Sequence, residues 1–573
     1  MSTLADLTGP LASVSVGILG HVDSGKTSLA RRLSSIASTA AFDKNPQSRE
    51  RGITLDLGFS GFCMNVPAHW TAADGYNVAD RVLVTLVDCP GHASLVRTVI
   101  GGAQIIDVML LVVDATKGIQ TQTAECLVLA QIIQRPLLVA LNKVDMFPAD
   151  VRETKIAKVS QALRKAITPL GFGDAPIVPT SAGSSGSNDE DDVWGISALM
   201  TQLSQLMPVP ARLPTGPFLF AVDHCFGIRG KGTVLTGTVL SGTVKIGDTV
   251  EIVPGGEKKV KSMQRFRQPV QQAIQGDRIG LCVTQFDPEK LERGLAATPG
   301  TVRAIYAAVI NVRRIPFYKL ECRTRAKFHV TIGYETAVAT ATFFSTPLAS
   351  CASDAAAAKS GADTLNLEQS YAFEAMLPQE PLEADQPANY WALLEFDRSV
   401  AYADHALAIV SRLDTDIHTK QCRLAFYGNI VLPMRSADYR TSVLPQLHIF
   451  KDKMRTAVVD RVVDEYTVIA RGLVQREAKL DKFIGMLVTL PHGIQGRIES
   501  TFGQSGKFRI RLSERLTAEQ MSWLASALGG KGKRADKGRT QQRGEAAEAS
   551  AHAPQVCLRF RRFVFDADKK MVQ

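Results

Sequence analysis

The feature that most constrains the fold of this chain lies near its amino terminus. Residues 20–27 read Gly-His-Val-Asp-Ser-Gly-Lys-Thr and match the pattern G-x-x-x-x-G-K-[ST]. The apolar run Val14 to Leu19 predicts a buried parallel strand before this loop, and Ser28 to Leu33 predicts the opening of a helix after it. In that context the loop amides and the helix N-terminus can face phosphate oxygens. The arrangement predicts a doubly wound α/β P-loop domain with a mostly parallel sheet.

The residues of the loop have distinct expected roles. Gly20 and Gly25 permit the turn and a close backbone approach, Lys26 supplies a point charge to the outer phosphates, and Thr27 offers its hydroxyl to Mg²⁺. The alternative is a glycine turn that only caps a helix. The phosphate-binding set predicted from the loop is Gly20, Asp23, Ser24, Gly25, Lys26, Thr27 and Ser28.

A second apolar strand ends in an acidic residue and a glycine turn, in the stretch Asp88-Cys89-Pro90-Gly91-His92. Asp88 can hold a magnesium-bound water, and the Gly91 amide can sense a γ-phosphate. The sequence therefore predicts that Mg²⁺ accompanies the nucleotide.

A third strand, Leu137 to Leu141, ends in Asn142-Lys143-Val144-Asp145. The Asp145 carboxylate can accept two hydrogen bonds from the edge of guanine, which adenine cannot supply. Thr180-Ser181-Ala182 follows the next strand and suits a backbone contact to the guanine oxygen. The predicted nucleotide is GTP or GDP, bound by the additional residues Asp88, Gly91, Asn142, Lys143, Asp145, Ser181 and Ala182.

With Arg51-Gly52-Ile53-Thr54, these motifs resemble those of the translational GTPases of the elongation-factor Tu kind. The resemblance implies that Thr54 closes over Mg²⁺ when the γ-phosphate is present. It also implies that His92 orients the attacking water once the ribosome engages, and that Val22 and Ile53 hold this histidine away beforehand. The implied catalytic residues are His92, Lys26 and Thr54, and the implied magnesium ligands are Thr27, Thr54 and, through water, Asp88.

At 573 residues and 62.0 kDa the chain exceeds what one hydrophobic core usually serves. We expect a GTP-binding domain over 1–210 and a β-barrel over 216–305. A second barrel over 306–460 carries an insertion at about 346–388, and a basic β-rich domain over 461–573 contains a flexible stretch at 529–553. The expected architecture is therefore a GTPase domain followed by three barrel-type domains.

The composition favours a cytoplasmic protein without a membrane partner, and we expect a monomer. No apolar run approaches the roughly 20 residues of a membrane span, and the start, MSTLADLTGP, lacks the pattern of a secretory signal. Nine cysteines without a C-x-x-C pair fit reduced thiols. The basic clusters of the tail leave a nuclear fraction possible.

The net charge of +10 is concentrated near the carboxyl end, where residues 507–573 hold 15 Lys and Arg against 7 Asp and Glu, or 15 − 7 = +8. Such a surplus favours polyanion partners. The run Lys507 to Arg511 alternates basic and apolar residues, and Val556 to Phe565 predicts a closing strand that interleaves arginine with phenylalanine. This pattern suits RNA contact, and ordinary strand amphipathicity is the alternative.

Over nearly its whole length, the chain resembles the eukaryotic selenocysteine-specific elongation factors. The features that carry this resemblance are the additional last domain, the segment Arg49 to Phe59 and the stretch Asp223-His224-Cys225-Phe226. The resemblance implies an aminoacyl pocket in the first barrel, formed by Asp223, His224 and Arg278. A selenol is an anion at neutral pH, so Arg278 and a protonated His224 would attract it, with Asp223 orienting the histidine. The alternatives are that Arg278 only pairs with a neighbouring carboxylate and that Asp223-His224 only finishes a strand.

The partners implied by this resemblance are selenocysteinyl-tRNA, the ribosome and the selenocysteine-insertion element of the mRNA, reached through an RNA-binding adaptor protein. Three other functions remain open at this point. They are a GTPase that carries the initiator or another aminoacyl-tRNA, a GTPase that regulates a metabolic enzyme, and an RNA tether whose hydrolysis is vestigial.

Overall fold

The computed structural model describes residues 12–37, 57–71, 80–90, 100, 105–182, 194–210, 212, 214–230, 232–291, 293–333, 335–346, 365–379, 389–404, 406–414, 422–473, 480–502, 506–528, 554–566 and 571–573. The chain forms two compact units. The first comprises residues 1–343, 356–365 and 374–439, and the second comprises residues 344–355, 366–373 and 440–573.

The first domain is built on a seven-stranded mixed sheet in the order β2-β3-β4-β1-β5-β6-β7. Strands β1, β4, β5, β6 and β7 are parallel, and β3 is antiparallel to both of its neighbours. The parallel strands are mainly apolar and are buried along almost their whole length, because both faces of the sheet are covered. The strands are β1 (Ala12–Leu19), β2 (Ile36–Ala37), β3 (Gly58–Asn65), β4 (Arg81–Asp88), β5 (Val108–Asp114), β6 (Leu137–Asn142) and β7 (Ile177–Pro179).

Within the described ranges, four helices cover this sheet, and two separate apolar cores lie on its two faces. One core holds Leu29 of α1 and Leu203 of α4, and the other holds Leu129 of α2 and Leu163 of α3. The carboxyl ends of β1, β4, β5 and β6 therefore meet at one open edge, where ligands bind in folds of this class. The helices are α1 (Lys26–Leu33), α2 (Thr121–Ile133), α3 (Arg152–Ile167) and α4 (Ile196–Leu206).

The second domain is a closed six-stranded barrel, in which β11-β16-β8-β9-β15-β12 returns to β11. Phe220, Leu235 and Leu281 lie in its core. Three short strands, β10, β13 and β14, lie outside the closed barrel. The strands of this domain are β8 (Leu219–Ile228), β9 (Gly232–Ser241), β10 (Thr243–Lys245), β11 (Thr249–Val253), β12 (Gly256–Arg265), β13 (Gln268–Val270), β14 (Gln272–Ile274), β15 (Arg278–Val283) and β16 (Gly294–Ala297).

The third domain is a second closed barrel, in which β20-β25-β26-β17-β24-β21 returns to β20. The Phe426 ring meets the rings of Phe328 and Phe343 edge to face at 5.4 and 5.3 Å in its core. The strands from this part of the chain are β17 (Arg303–Asn311), β18 (Arg313–Arg314), β19 (Cys322–Arg323), β20 (Lys327–Ile332), β21 (Glu335–Ser345), β22 (Tyr371–Glu374), β23 (Met376–Leu377), β24 (Tyr390–Tyr402), β25 (Leu407–Ser411) and β26 (Leu424–Met434).

The second unit contains a third closed barrel, in which β27-β28-β31-β30-β29-β32 returns to β27, and β22 pairs with β27 in parallel. Position 460, the domain limit expected from the sequence, lies inside β27, because this long strand already belongs to the last barrel. The elements are α5 (Tyr439–Ser442), β27 (Ile449–Asp464), β28 (Thr467–Arg471), β29 (Leu487–Thr489), β30 (Gln495–Phe502), β31 (Lys507–Leu512), α6 (Ala518–Leu528), β32 (Gln555–Phe563) and β33 (Met571–Val572).

The three barrels and the α/β domain confirm the predicted fold class. Within the described ranges, no helix combines the length and apolar character that a membrane crossing requires.

Polar contacts join the first domain to the second within the first unit. Ser13 Oγ donates to Asp277 Oδ1 at 2.9 Å, and Arg265 Nη1 donates to the same oxygen at 3.2 Å. Arg212, which follows the first domain, donates to the Ser13 carbonyl at 2.8 Å and to Asp107 Oδ2 at 2.9 Å. The start of β1 is therefore fixed both to the linker and to the barrel.

A buried ion pair joins the first domain to the third. Arg423, just before β26, donates from Nε and Nη2 to the two carboxylate oxygens of Glu125 on α2, each at 2.9 Å. Their side chains are only 7% and 5% exposed. Apolar residues of the third domain, among them Ile315 and Leu424, lie in the same cluster as the core beneath α2. The pair is therefore shielded from solvent, and each buried charge is compensated by the other.

We expect Arg423→Ala to destabilise the protein by about 3–5 kcal/mol, because it leaves the Glu125 carboxylate buried without its cation. Chemical denaturation followed by tryptophan fluorescence measures the change. The control is the double variant Glu125→Leu, Arg423→Met, which replaces both charges by apolar groups of similar size and should recover most of the loss. A single variant as stable as the unmodified protein would contradict the importance of the pair.

Candidate functional site

The loop between β1 and α1 has the backbone that the sequence pattern predicts. Gly20 and Gly25 have φ values of +149° and +91°, and a Cβ atom on either would lie 2.3 Å from Val112 O or from Asn142 Nδ2, respectively. Larger residues therefore cannot replace these glycines without moving the backbone or the neighbouring strand. Asp23 also has a left-handed backbone, at φ +60°. The loop is held in a conformation that is uncommon for ordinary residues.

Lys26 at the start of α1 is 6% exposed, and its ammonium donates to the His21 carbonyl of the same loop at 2.7 Å. Burial lowers the pKa of Lys26, and the charge of Asp88 opposes this effect. The lysine therefore brings a poorly solvated positive charge to the loop, where an anionic phosphate would stabilise it.

The two described residues expected at the magnesium site lie together. Thr27 Oγ1, in the first turn of α1, donates to Asp88 Oδ2 at the carboxyl end of β4, at 2.7 Å. A hydroxyl and a carboxylate are oxygen donors of the kind that Mg²⁺ prefers. Ser24 Oγ of the preceding loop is buried and has no hydrogen-bond partner within the described ranges. The residues present therefore fit a phosphate group with its divalent ion.

The predicted base-binding segment follows β6 at the same edge. Asn142 Nδ2 donates to the Ser24 carbonyl at 2.9 Å, so the segment is tied to the phosphate loop. Asp145 is exposed in the short 3-10 turn Val144–Met146. Ser181 and Ala182 lie buried beyond β7, where the Ser181 amide donates to Trp194 O at 2.9 Å and Arg32 Nε donates to Ala182 O at 3.2 Å.

Two contacts near the nucleotide loop were not predicted from the sequence. Lys143 Nζ lies 2.9 Å from Asp114 Oδ2 at the end of β5. The Val22 amide donates to Gln122 Oε1 on α2 at 3.2 Å, so this helix touches the loop. The position of Asp114 at the carboxyl end of a parallel strand was a signal that could have identified it.

Four predicted residues, Ile53, Thr54, Gly91 and His92, lie outside the described residues. Their proposed partner Val22 is described and is partly buried.

The structure brings Asp223 and Arg278 together in the second domain. Arg278 Nη1 lies 2.5 Å from Asp223 Oδ2, and both side chains are at most 5% exposed. Strand β9 lies between β8 and β15, and its Thr238 hydroxyl lies 3.4 Å from the same guanidinium nitrogen. The Arg278 guanidinium also stacks on the ring of Phe59 in β3, with Cζ 3.0 Å from the ring centroid.

The arrangement differs from the expectation that Asp223 orients His224. The Asp223 carboxylate contacts Arg278 instead, and its other oxygen, Oδ1, is buried with no hydrogen-bond partner in the described part of the chain. His224 is partly buried beside it. A β-bulge between Val222 and His224 interrupts the regular alternation of β8 at Asp223, which the sequence does not reveal.

A cavity of about 400 Å³ opens next to this ion pair on the second domain. Arg278, Thr236 and Lys261 supply polar groups to its wall, and Phe226, Val234 and Cys282 supply apolar ones. Cavities of this mixed character accommodate small groups with one or two polar atoms.

Comparisons with known proteins agree with this order of domains. Four family models match successive parts of the chain: "Elongation factor Tu GTP binding domain" at residues 12–209, "Elongation factor Tu domain 2" at 232–296, "Selenocysteine-specific elongation factor, eukaryotes, 3rd domain" at 309–428 and "eEFSec C-terminal RIFT domain" at 445–569.

The chain is 46% identical to the selenocysteine-specific elongation factor of Mus musculus over 592 aligned positions, which cover 99% of this chain and 100% of that protein. It is 29% identical to the selenocysteine-specific elongation factor of Methanocaldococcus jannaschii, with 88% and 95% of the two chains covered. Its fold is similar to that of translation elongation factor SelB from Methanococcus maripaludis in complex with the GTP analogue GppNHp, with a TM-score of 0.64 and 24% identity. That match covers 97% of this chain and 100% of the other.

Proposed function

The chain belongs to the selenocysteine-specific elongation factor family and is a translational GTPase, and from this premise we propose that it carries selenocysteinyl-tRNA to the ribosome at recoded UGA codons. The observation that carries the proposal is the 46% identity to the mouse factor over 99% of the chain. That identity includes the barrels as well as the GTPase domain. Delivery of the initiator or another aminoacyl-tRNA, and regulation of a metabolic enzyme, are therefore not favoured.

We propose that catalysis depends on positioning and on charge neutralisation. Lys26 would contact the outer phosphates, while Thr27, Thr54 and Asp88, the last through water, would hold Mg²⁺. A Mg²⁺ ion bound there supplies positive charge to the β- and γ-phosphate oxygens. Val22 and Ile53 would keep His92 away from the attacking water until the ribosome engages. Asn142, Lys143 and Asp145 would select guanine.

We propose that the aminoacyl group enters the second domain at Arg278. The buried pair with Asp223 means that a selenolate must compete with this carboxylate for the guanidinium. A neutral serine side chain competes less well, because hydrogen bonds to charged groups are stronger than those between neutral groups. Both groups would have to displace the same carboxylate, so the proposed discrimination comes from the stronger interaction of the charged selenolate with the guanidinium.

The barrel of the second unit is the proposed RNA- and partner-binding domain. Phe508 and Ile510 of β31 are buried and Lys507, Arg509 and Arg511 lie on the outer face, as the alternating pattern predicts. Arg511 also lies over an aromatic ring, with its guanidinium 5.6 Å from the centre of the exposed Tyr466 ring. Cations next to rings suit stacked bases and phosphates. We propose that this barrel reaches the selenocysteine-insertion element through an adaptor protein, and that the protein acts as a cytoplasmic monomer.

A GTP-dependent binding competition among charged tRNAs tests the function. We expect selenocysteinyl-tRNA to displace labelled selenocysteinyl-tRNA at concentrations at which seryl-tRNA and uncharged tRNA do not. In Arg278→Ala the preference over seryl-tRNA should fall by about tenfold or more, because a hydrogen bond to a charged group is lost.

The control for this competition is Arg265→Ala. It also removes a buried arginine from the second domain, where Arg265 pairs with Asp277 rather than with Asp223. This variant should keep the preference. If the unmodified protein binds all three tRNAs equally, the proposed function is wrong. If Arg278→Ala keeps the full preference, only the assignment of the pocket is wrong.

A further inference from the structure

Asp114 lies at the carboxyl end of β5, between the phosphate loop and the base-binding segment. In the parallel pairing of β5 with β6 it stands opposite Asn142, and the next amide, that of Ala115, donates to the Asn142 carbonyl at 2.9 Å. The carboxylate is therefore anchored to the strand that carries the base-binding residues.

Both oxygens of the Asp114 carboxylate contact donors on neighbouring residues. Oδ1 accepts hydrogen bonds from the Thr116 amide at 2.9 Å and from the Thr116 hydroxyl at 2.6 Å, while Oδ2 faces Lys143 Nζ at 2.9 Å. Burial raises the pKa of Asp114, but the hydrogen bonds from Thr116 and Lys143 outweigh this effect and lower it overall. The side chain is 4% exposed, so a fixed negative charge lies in a nearly dry position.

The ion pair with Asp114 restricts a side chain that is otherwise flexible, that of Lys143. Its backbone has the left-handed conformation, at φ +65°, and its side chain is 30% exposed. A lysine side chain has four rotatable bonds and loses considerable conformational entropy when it is ordered. The ion pair holds the ammonium next to the carboxyl end of β5 and so restricts the methylene stem that joins it to the backbone.

We propose that Asp114 is a positioning residue for guanine-nucleotide binding, because it holds Lys143 so that the lysine stem forms one wall of the base site. The inference rests on the proposed GTP binding and adds a residue that the sequence motif does not contain. A lysine stem is apolar and can cover the flat face of a base while its charged end is held elsewhere. The Asp114 charge acts only through Lys143 and does not itself contact nucleotide.

A double-mutant cycle on the full chain tests this role, with fluorescent methylanthraniloyl-GDP as the probe. Asp114→Ala and Lys143→Ala should each weaken binding by about fivefold to tenfold, since the lysine is partly exposed. The double variant should be no weaker than Lys143→Ala within a factor of about two, because the two residues act as one unit. GDP and GTP should lose affinity by the same factor, because they share the base.

Two further variants separate positioning from general destabilisation. Asp114→Asn keeps the size of the side chain but not its charge, and it should lose as much affinity as Asp114→Ala. Asp107→Asn is the matched control, because it removes the charge of another ion pair in this domain, that with Arg212 at 2.9 Å. It should leave GDP affinity unchanged.

Full affinity in Asp114→Asn, or losses from Asp114 and Lys143 that multiply in the double variant, would overturn the inference. If the unmodified protein does not bind the probe at all, the proposed function fails first. The two failures are therefore distinguishable.

Discussion

Replacing Asp145 by asparagine is expected to lower GTP affinity by roughly a thousandfold or more and to create measurable affinity for xanthosine triphosphate. The carboxylate is exposed at the open edge of the sheet, and in the proposed site it would offer two acceptors to the N1–H and amino donors of guanine. An asparagine places an NH₂ donor against the guanine amino group and leaves polar groups unpaired. Xanthine has a carbonyl at that position, which can accept from the new NH₂ group.

Calorimetric titration with GTP, ATP and xanthosine triphosphate measures this change. Asp150→Asn is a matched control, because Asp150 is exposed five residues further along the same segment and is outside the predicted motif. It should leave all three affinities unchanged. Undiminished GTP binding in Asp145→Asn would show that guanine is recognised elsewhere.

The strands and loops of the first domain could be predicted because the local sequence pattern determines them. The strand predicted from Val14 to Leu19 extends over Ala12–Leu19, and that predicted from Leu137 to Leu141 extends to Asn142. Parallel strands buried on both faces are continuous apolar runs, and their carboxyl ends share one edge. Motifs at these ends therefore come together without any knowledge of distant contacts.

Contacts between remote segments could not be predicted in this way. Glu125 and Arg423 are 298 residues apart, and nothing in the local pattern of either pairs them. A buried charge pair depends on how the first and third domains meet, which residue periodicity does not encode. Asp223 and Arg278 were assigned to one pocket, but their direct ion pair was not predicted, because a bulge in β8 and the order β8-β9-β15 determine which side chains meet.

Two of the unpredicted contacts lie on α2. Its Gln122 accepts from the amide of Val22 in the phosphate loop, and its Glu125, one turn further, is buried against Arg423 of the third domain. We expect a displacement of the loop to reach this ion pair, because both contacts lie on one helix. The measurement of Arg423→Ala proposed above therefore gains a second readout, the rate of GDP release.

His92→Ala is expected to reduce ribosome-stimulated GTP hydrolysis by about 10²- to 10⁴-fold, the range of a lost acid–base or water-orienting group. Binding of GTP should change little, because the phosphate and base contacts assigned above belong to other residues. Single-turnover hydrolysis with and without ribosomes, together with GTP titration, measures the two quantities separately.

Comparing the ribosome-stimulated rate of GTP hydrolysis with the intrinsic rate distinguishes a lost catalytic group from a damaged nucleotide site. If His92 orients water only when the ribosome engages, the variant loses the stimulated rate and keeps the slow intrinsic one, whereas a damaged nucleotide site would lower binding as well. His492→Ala is the control, because His492 is an exposed histidine of the last barrel, near Trp523. A His92 variant with the full stimulated rate would leave Lys26 and the Mg²⁺ ligands as the main agents, and the attacking water would then need another group to orient it.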